Sequence, residues 1–291
     1  FEVIVVDSGS FDRTRDIAEG RADKLIRINS HDFTFGYSLN RGIEESKGKF
    51  IVIVSAHVIP VDEFWLEKLI KPLKQDKIAM TYGQQRGVAC SKFSEAEDYR
   101  RMFGSRPKIE CQSRFSVNNA NSAVKKKLWD QHKFDETLTG LEDIAWARHW
   151  MERGYQVNYE PSSAIYHIHE ETWRQVRHRF YREAFAYRKM GLKSPATIPR
   201  ELLRETARLF GDFFQAVISK ENPVVERLTL GQRIREILYF RVNMNIGALK
   251  GLIEKHPLDT KESRELTFFN RRAKGVLIHK PNQSDYHHTS S

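Results

Sequence analysis

Uninterrupted apolar runs recur in the first third of the chain, each followed by a polar turn and a helix-like segment. Residues 3–6 and 49–54 are almost entirely apolar and rich in β-branched side chains, which is typical of strands buried on both faces of a parallel sheet. Residues 24–28 form a shorter run, and helical periodicity appears at residues 37–46 and 64–73. This alternation predicts an α/β fold in which helices flank a mostly parallel sheet.

The middle of the chain is less regular. Residues 78–82 continue the strand pattern, whereas residues 84–116 are polar, charged and weakly periodic, so we expect a surface excursion there. The remaining elements are expected as helices at residues 124–129 and 144–153, and as strands at residues 156–159 and 164–169 on either side of Pro161.

Beyond Trp173 the strand patterns end and basic helical segments continue to about residue 255. One apolar face recurs at spacings of three and four residues, as in an amphipathic helix. Its members are Ile234, Leu238, Val242, Ile246, Leu249 and Ile253. We therefore expect a catalytic-type α/β unit at residues 1–175, a basic helical extension at 176–262, and an irregular, partly disordered tail at 263–291.

The net charge of +10 and the pI near 9.5 indicate an anionic partner, which nucleotide phosphates, nucleic acid and acidic lipids would all satisfy. The two cysteines, Cys90 and Cys111, are too few for a disulfide framework and are interpreted as reduced thiols. No signal-peptide pattern and no apolar run of about 18 residues is present in the sequence. We expect a cytoplasmic protein, with peripheral contact on the inner face of the membrane as a further possibility.

The chain begins inside a strand-like run, without an initiator methionine. We interpret this as the loss of a preceding strand and helix, roughly 30 residues in the usual βαβ unit.

Polar residues follow several of the predicted strands, where ligands bind in doubly wound sheets. Asp7 directly follows the first strand, and the small residues Ser8 and Ser10 leave room for a ligand beside its carboxylate. A carboxylate here can accept hydrogen bonds from a nucleotide base or ribose. The alternative is that Asp7 or Ser10 only caps the following helix.

Several segments together resemble family 2 glycosyltransferases. Residues 5–14, VVDSGSFDRT, are similar to the VVDDGSxDxT segment of that family, and residues 140–146, GLEDIAW, resemble its ED motif. Ile59-Pro60 with Trp65-Leu66, Asn119-Ala120-Asn121, Trp129 and residues 134–136 resemble intervening elements. The resemblance covers residues 1 to about 175 in order, and rhamnosyltransferase-like members are the most similar in pattern.

This resemblance implies a GT-A fold and an inverting transfer of sugar from a nucleotide-sugar donor to a glycan or lipid-linked oligosaccharide. It assigns Asp143 as the general base, with Glu142 beside it oriented toward the acceptor or a loop. Asp7 would contact the nucleotide base. The other residues expected on the donor side are Ser8, Ser10, Asp12 and Ser55.

The sequence departs from the family at Ser55-Ala56-His57, where a DxD element would supply carboxylates to a divalent cation. Either metal dependence is lost or His57 is itself a ligand. His167 and His169 support the second reading, because alternation along a strand places both imidazoles on one face. Retaining polypeptide N-acetylgalactosaminyltransferases are similar in using a DxH element and a distant histidine. Imidazole favours Mn²⁺ over Mg²⁺. Each histidine could instead be structural.

Aromatic and arginine side chains alternate from Trp173 to Arg182 and continue through Arg200, Arg204 and Arg208. This pattern suits a helix lying at a membrane surface, or a helix packed on the catalytic unit with a solvated basic face. No nucleic-acid-binding motif accompanies the charge, so no nucleic acid partner is expected. The alternative functions are a sugar-nucleotide pyrophosphorylase and a non-catalytic membrane- or polyanion-binding protein built on a degenerate transferase domain.

Overall fold

The computed structural model describes residues 1–110 and 117–255. Its strands are β1 (Ile4–Asp7), β2 (Lys24–Arg27), β3 (Phe50–Val54), β4 (Val58–Pro60), β5 (Ile78–Arg86), β6 (Lys108–Glu110), β7 (Asn121–Lys125) and β8 (Gln156–His167). Its helices are α1 (Thr14–Glu19), α2 (Phe35–Glu44), α3 (Trp65–Ile70), α4 (Phe93–Met102), α5 (Lys126–Trp129), α6 (Glu142–Met151), α7 (Trp173–Lys189), α8 (Ile198–Ile218) and α9 (Leu230–Ile253). The predicted tail at residues 263–291, Cys111 and part of the predicted excursion lie outside the described residues.

The α/β class is confirmed, but the sheet is mixed rather than mostly parallel. The main sheet has the order β3-β7-β5-β8-β4, with β6 also paired to β8. Within it only β5 and β8 run parallel, and β1 forms a separate parallel pair with β2. Apolar runs predict burial on both faces of a sheet and carry no information on strand direction, which explains the difference.

The main core lies between this sheet and helices α2 and α6. Trp129, Trp146 and Tyr159 are among its largest fully buried side chains. The indole Nε1 of Trp129 donates to Asn40 Oδ1 at 2.9 Å, so the polar end of this buried ring has a partner. The core therefore holds α6, which begins at Glu142, firmly against the sheet.

Three predictions about where elements and units begin and end differ from the structure. The two late strands are one strand, β8, which contains Pro161. Its register with β5 jumps from Gly83 opposite Glu160 to Gln85 opposite Ile165, so Pro161 lies in an irregularity where no regular ladder bond is needed. The predicted excursion is wrong over α4, whose first turns are buried. The boundary predicted between residues 175 and 176 falls inside α7.

The C-terminal helices pack closely on one another through glycine. A Cβ atom at position 247 of α9 would lie 2.0 Å from the carbonyl oxygen of Arg177, and one at position 251 would lie 2.3 Å from that of Tyr181. Only glycine, which lacks a Cβ atom, allows α7 and α9 to approach this closely at positions 247 and 251. No described helix is both long and apolar enough to cross a bilayer.

We predict that Gly247→Ala destabilises the protein by about 1–3 kcal/mol, because the new methyl group overlaps the backbone of α7. Gly231→Ala in the same helix is the matched control, since nothing lies within 4 Å of its added Cβ. The control should be neutral or slightly stabilising, as alanine favours helix over glycine. Urea denaturation of both variants measures the difference, and equal midpoints would contradict the packing argument.

Candidate active site

Strand pairing brings the predicted histidines together. His57 follows β3 and directly precedes β4, and β4 lies antiparallel to the end of β8, with Val58 opposite His167. The amide of Ile168 donates to the carbonyl oxygen of His57 at 3.0 Å. Two segments about 110 residues apart in sequence are therefore neighbours at one edge of the sheet.

The three imidazoles form a compact cluster. The ring centroids of His57 and His167 are 4.8 Å apart, those of His57 and His169 are 5.1 Å apart, and those of His167 and His169 are 4.2 Å apart. One ring nitrogen from each residue lies within 4.8 Å of the others. We call these residues the imidazole cluster. Their spacing is compatible with shared coordination of one cation.

Outer partners fix the orientation of two of these rings. His167 donates from Nδ1 to Gln85 Oε1 at 2.7 Å, and His169 Nδ1 lies 2.7 Å from Glu95 Oε1. The hydroxyl of Tyr99 is 3.2 and 3.3 Å from the same two Nδ1 atoms. Using Nδ1 in this way leaves Nε2 as the coordinating nitrogen, as in histidines that bind metals. Within the described residues, the buried Nε2 of His167 has no hydrogen-bond partner.

Burial and neighbouring groups favour the neutral form of two of the rings. Burial, together with the neighbouring His169, lowers the pKa of His57 to about 4. Burial also lowers the pKa of His167 well below its ordinary value, and both neighbouring imidazoles add to this. Neutral rings retain the lone pairs that a cation would need.

The acidic residues behind the cluster are already paired. Arg179 on α7 contacts the carboxylates of Glu95 and Glu171, each at 2.7 Å. Burial alone would raise the pKa of Glu95, but His169 and Arg179 lower it below its ordinary value. Glu95, Glu171 and His169 also lie close enough for a second cation. However, Arg179 already supplies the positive charge there, so the imidazole cluster fits a cation better.

The second part of the site is the carboxylate pair, Glu142 and Asp143, at the start of α6. Both side chains are buried, and the preceding Leu141 has a positive φ of 62°, the only such value for a non-glycine residue in the described ranges. The amides of Asn119 and Ile144 donate to Asp143 at 2.9 and 2.7 Å. Asn119 Nδ2 also donates to Glu142 Oε1 at 3.1 Å. Asn119 thus orients both carboxylates.

Burial and mutual repulsion make this pair unusually basic. Burial, followed by the charge of Glu142, raises the pKa of Asp143 to about 8. Burial also raises the pKa of Glu142 above its ordinary value. Neighbouring carboxylates with raised pKa values bind a proton more tightly than ordinary carboxylates, which suits a group that accepts a proton during a reaction.

Helix α7 connects the imidazole cluster with the carboxylate pair. The sequence alone did not predict this connection. The Arg182 guanidinium lies 5.1 Å from the ring centroid of Phe35, and its buried Nε has no partner among the described residues. Burial lowers the pKa of Arg182 and raises that of Glu183, although both side chains are partly exposed. Glu142 attracts Arg182 electrostatically. The alternation of arginine and aromatic residues suits either a membrane-surface helix or a packed helix with a solvated basic face, and it does not reveal this role.

The Asp7 loop is held by local hydrogen bonds. Asp7 is 5% exposed and accepts from the amides of Ser10 at 3.0 Å and Gly9 at 3.2 Å, and from Arg15 Nε at 3.0 Å. Burial alone would raise the pKa of Asp7, but these hydrogen bonds lower it. Asp12 accepts from the amide of Thr14. Helix α1 begins at Thr14 without a side-chain cap, so neither Asp7 nor Ser10 caps it, and nucleotide contact by this loop stays a prediction.

The remaining predicted donor-side residues are accessible to a ligand. Ser8 and Ser10 are partly exposed beside Asp7. Ser55 is also partly exposed, and its amide donates to the carbonyl oxygen of Ala120 at 3.3 Å. Ser55 therefore lies next to both His57 and the segment that carries Asn119.

This architecture is similar to that of a solved glycosyltransferase. The structure described as mannosyltransferase PcManGT from Pyrobaculum calidifontis in complex with GDP-Man and Mn²⁺ overlaps with a TM-score of 0.56 at 18% sequence identity. The overlap covers 88% of this chain and 79% of that one. The protein therefore has the GT-A glycosyltransferase fold, followed by C-terminal helices.

Sequence comparison agrees with this fold. Residues 1–133 match the family model described as Glycosyl transferase family 2. The O-antigen chain rhamnosyltransferase WbaN of Salmonella anatum is 22% identical over 192 residues, or 62% of this chain. The match spans 60% of the length of that relative.

Proposed function

We propose that this protein is an inverting glycosyltransferase that moves a sugar from a nucleotide-sugar donor to a hydroxyl of a glycan or lipid-linked acceptor. The observation that carries the proposal is the buried Glu142–Asp143 pair, whose raised pKa values suit proton abstraction. Similarity to a rhamnosyltransferase supports a deoxyhexose as the sugar.

In the proposed mechanism, Asp143 takes the proton of the acceptor hydroxyl as that oxygen attacks the anomeric carbon. The amides of Asn119 and Ile144 hold its carboxylate in one orientation, and Glu142 keeps its proton affinity high. The transition state resembles an oxocarbenium ion, with the nucleoside diphosphate leaving from the opposite face. Arg182 interacts electrostatically with Glu142 and can offset negative charge near the pair.

The imidazole cluster is the proposed cation site. His57, His167 and His169 fit a transition ion, because their ring nitrogens lie close together, burial favours the neutral form of His57 and His167, and Nδ1 contacts orient His167 and His169. A cation bound there would neutralise charge on the leaving diphosphate. We propose Mn²⁺ in preference to Mg²⁺, since Mg²⁺ strongly favours oxygen ligands.

Donor binding tests the function directly. UDP-, GDP- and dTDP-sugars should be compared by thermal shift with Mn²⁺, Mg²⁺ or a chelator present. A ligand at 100 times its Kd stabilises the native state by about 2.7 kcal/mol, which such an assay detects. Binding should be followed by transfer or slow donor hydrolysis. Absence of binding by every nucleotide sugar would reject the proposal, and binding without turnover would favour a non-catalytic protein.

The raised pKa of Asp143 predicts the pH dependence. Because the base must be ionised, kcat/KM should rise with pH through the pKa of this group. Glu142→Gln removes the neighbouring negative charge, lowers the pKa of Asp143 and moves this acid limb to lower pH. Glu67→Gln, at an exposed position on α3, is the control and should leave the profile unchanged. If the acid limb of the kcat/KM profile lies at the same pH in Glu142→Gln as in the native protein, the group that titrates is not Asp143.

A further inference from the structure

The outer faces of α8 and α9 expose large apolar side chains. On α8, Leu203, Phe210, Phe214 and Val217 are 73%, 66%, 62% and 66% exposed. Phenylalanine is usually buried in soluble proteins, and contiguous apolar patches on their surfaces usually mark an interaction site. Exposed apolar residues also follow one face of α9: Ile234, Leu238, Val242, Ile246 and Ile253.

This arrangement differs from what the sequence pattern suggested. The apolar stripe of α9 is the exposed face, because the helix packs on α7 through a different face that includes Phe240, Met244 and Gly247. The segment from Trp173 to Arg182, for which the sequence allowed either membrane contact or packing on the catalytic unit, belongs to α7, which packs against α9.

The two apolar stripes lie on neighbouring antiparallel helices. Near the loop that joins them, Arg233 donates to the carbonyl oxygen of Ala216 at 2.8 Å. Further along, Arg241 of α9 contacts Asp212 of α8 at 2.8 Å. The helices thus form one hairpin, and Arg241 also contacts Asp98 of α4 at 2.9 Å, so a buried ion-pair network fixes the inner side of the hairpin to the protein.

The carboxylates of helices α8 and α9 lie on the inner side of the hairpin, whereas the exposed Glu221 and Glu226 belong to the loop that joins the two helices. Asp212 is 0% and Glu205 6% exposed, and both pair with Arg241. Glu201 is partly buried in contact with Lys193, and Glu236 accepts from the amide of Phe93. No carboxylate of α8 or α9 is therefore among the exposed residues. The exposed charged residues of these helices are Arg200, Arg204, Arg235 and Lys250.

We propose that the outer face of the α8–α9 hairpin docks on the surface of an anionic lipid bilayer. Apolar side chains would enter the boundary between headgroups and acyl chains, and the cations would lie against lipid phosphates. A second copy of the chain fits less well, because a symmetric contact would bring the same cations opposite one another. The proposal does not depend on the proposed activity, although docking would bring a lipid-linked acceptor near the candidate active site.

Flotation of the full chain with vesicles tests this proposal. Binding to phosphatidylcholine vesicles that contain 30% phosphatidylglycerol should exceed binding to pure phosphatidylcholine by at least about tenfold. Phe210→Gln with Phe214→Gln should lower binding to the anionic vesicles at least about tenfold. Phe64→Gln, at an exposed phenylalanine on the catalytic unit, is the control. Unchanged binding of the double variant would overturn the proposal.

A second pair of variants tests the charge contribution. Arg200→Gln with Arg235→Gln should weaken binding to anionic vesicles about fivefold for each charge removed. Lys127→Gln with Arg153→Gln removes the same charge from exposed positions on the catalytic unit and should have a smaller effect. Equal losses in the two pairs would overturn the assignment of this face.

Two further measurements separate the possible failures. If light scattering shows a dimer that Phe210→Gln with Phe214→Gln dissociates, and no form binds vesicles, the face is an interface between copies and the proposal is wrong. Donor binding by thermal shift should be native-like in all these variants, since the substituted side chains are exposed and remote from the candidate active site. Vesicle binding without any donor binding would reject the proposed function and leave the docking surface intact.

Discussion

Replacing Asp143 by Asn is expected to lower the rate of sugar transfer by at least about 100-fold while donor affinity stays near native. An amide cannot take the proton of the acceptor hydroxyl, so the attacking oxygen loses its base. The backbone of α6 should remain in place because its packing through Trp146 and Ile144 is unchanged. Single-turnover kinetics with saturating donor would measure the loss, and calorimetry would measure donor affinity.

Asp130→Asn is the matched control for this change. Asp130 is an exposed carboxylate at the end of α5, and its contact with Lys126 is long at 3.5 Å. Its replacement should leave turnover and stability unchanged. A near-native rate for Asp143→Asn would remove Asp143 from the role of base and leave the carboxylate pair as a structural feature of the helix start.

Replacing His57 by Ala is expected to weaken Mn²⁺ binding by at least about 100-fold. Loss of an outer partner of a metal-binding histidine costs about 10- to 100-fold in affinity, and loss of a ligand should cost no less. Transfer should fall with it, because charge on the leaving diphosphate is no longer offset. Titration calorimetry of Mn²⁺ and Mg²⁺ into the native protein and the variant would measure this.

His149→Ala is the control for nonspecific binding by imidazole. His149 stacks on His132 with ring centroids 3.5 Å apart, outside the imidazole cluster. Its replacement should not change Mn²⁺ affinity. Full turnover of the native protein in the presence of a chelator would show that the imidazole cluster serves a structural purpose.

Much of the α/β pattern was predictable because it is local. The apolar runs at residues 3–6, 24–28, 49–54 and 78–82 correspond to β1, β2, β3 and β5. The long C-terminal helices followed in the same way from their periodicity. Buried strands and amphipathic helices each have a characteristic spacing of apolar residues. A short window of sequence is therefore enough to predict such an element.

Helix α4 was missed because its burial depends on distant partners. Glu95 and Glu97 are 3% and 1% exposed, although such residues ordinarily lie at the surface. Glu95 is paired with Arg179, and Asn222 donates to Glu97 at 2.9 Å. A polar segment can be buried when its charges are matched, and no local pattern reveals partners more than 80 residues away.

By itself the sequence determined most of the strands and the long helices, the resemblance to family 2 glycosyltransferases and the residue types at the candidate site. Those properties are encoded in local periodicity and short motifs. Only the tertiary structure decided which residues meet: pairing of β4 with β8 joins His57 to His167, and α7 carries Arg179 and Arg182 between the imidazole cluster and the carboxylate pair. The tertiary structure also decided that the predicted apolar stripe of α9 is exposed. The spacing of apolar residues shows that they share one face of a helix, but it does not show whether another element covers that face.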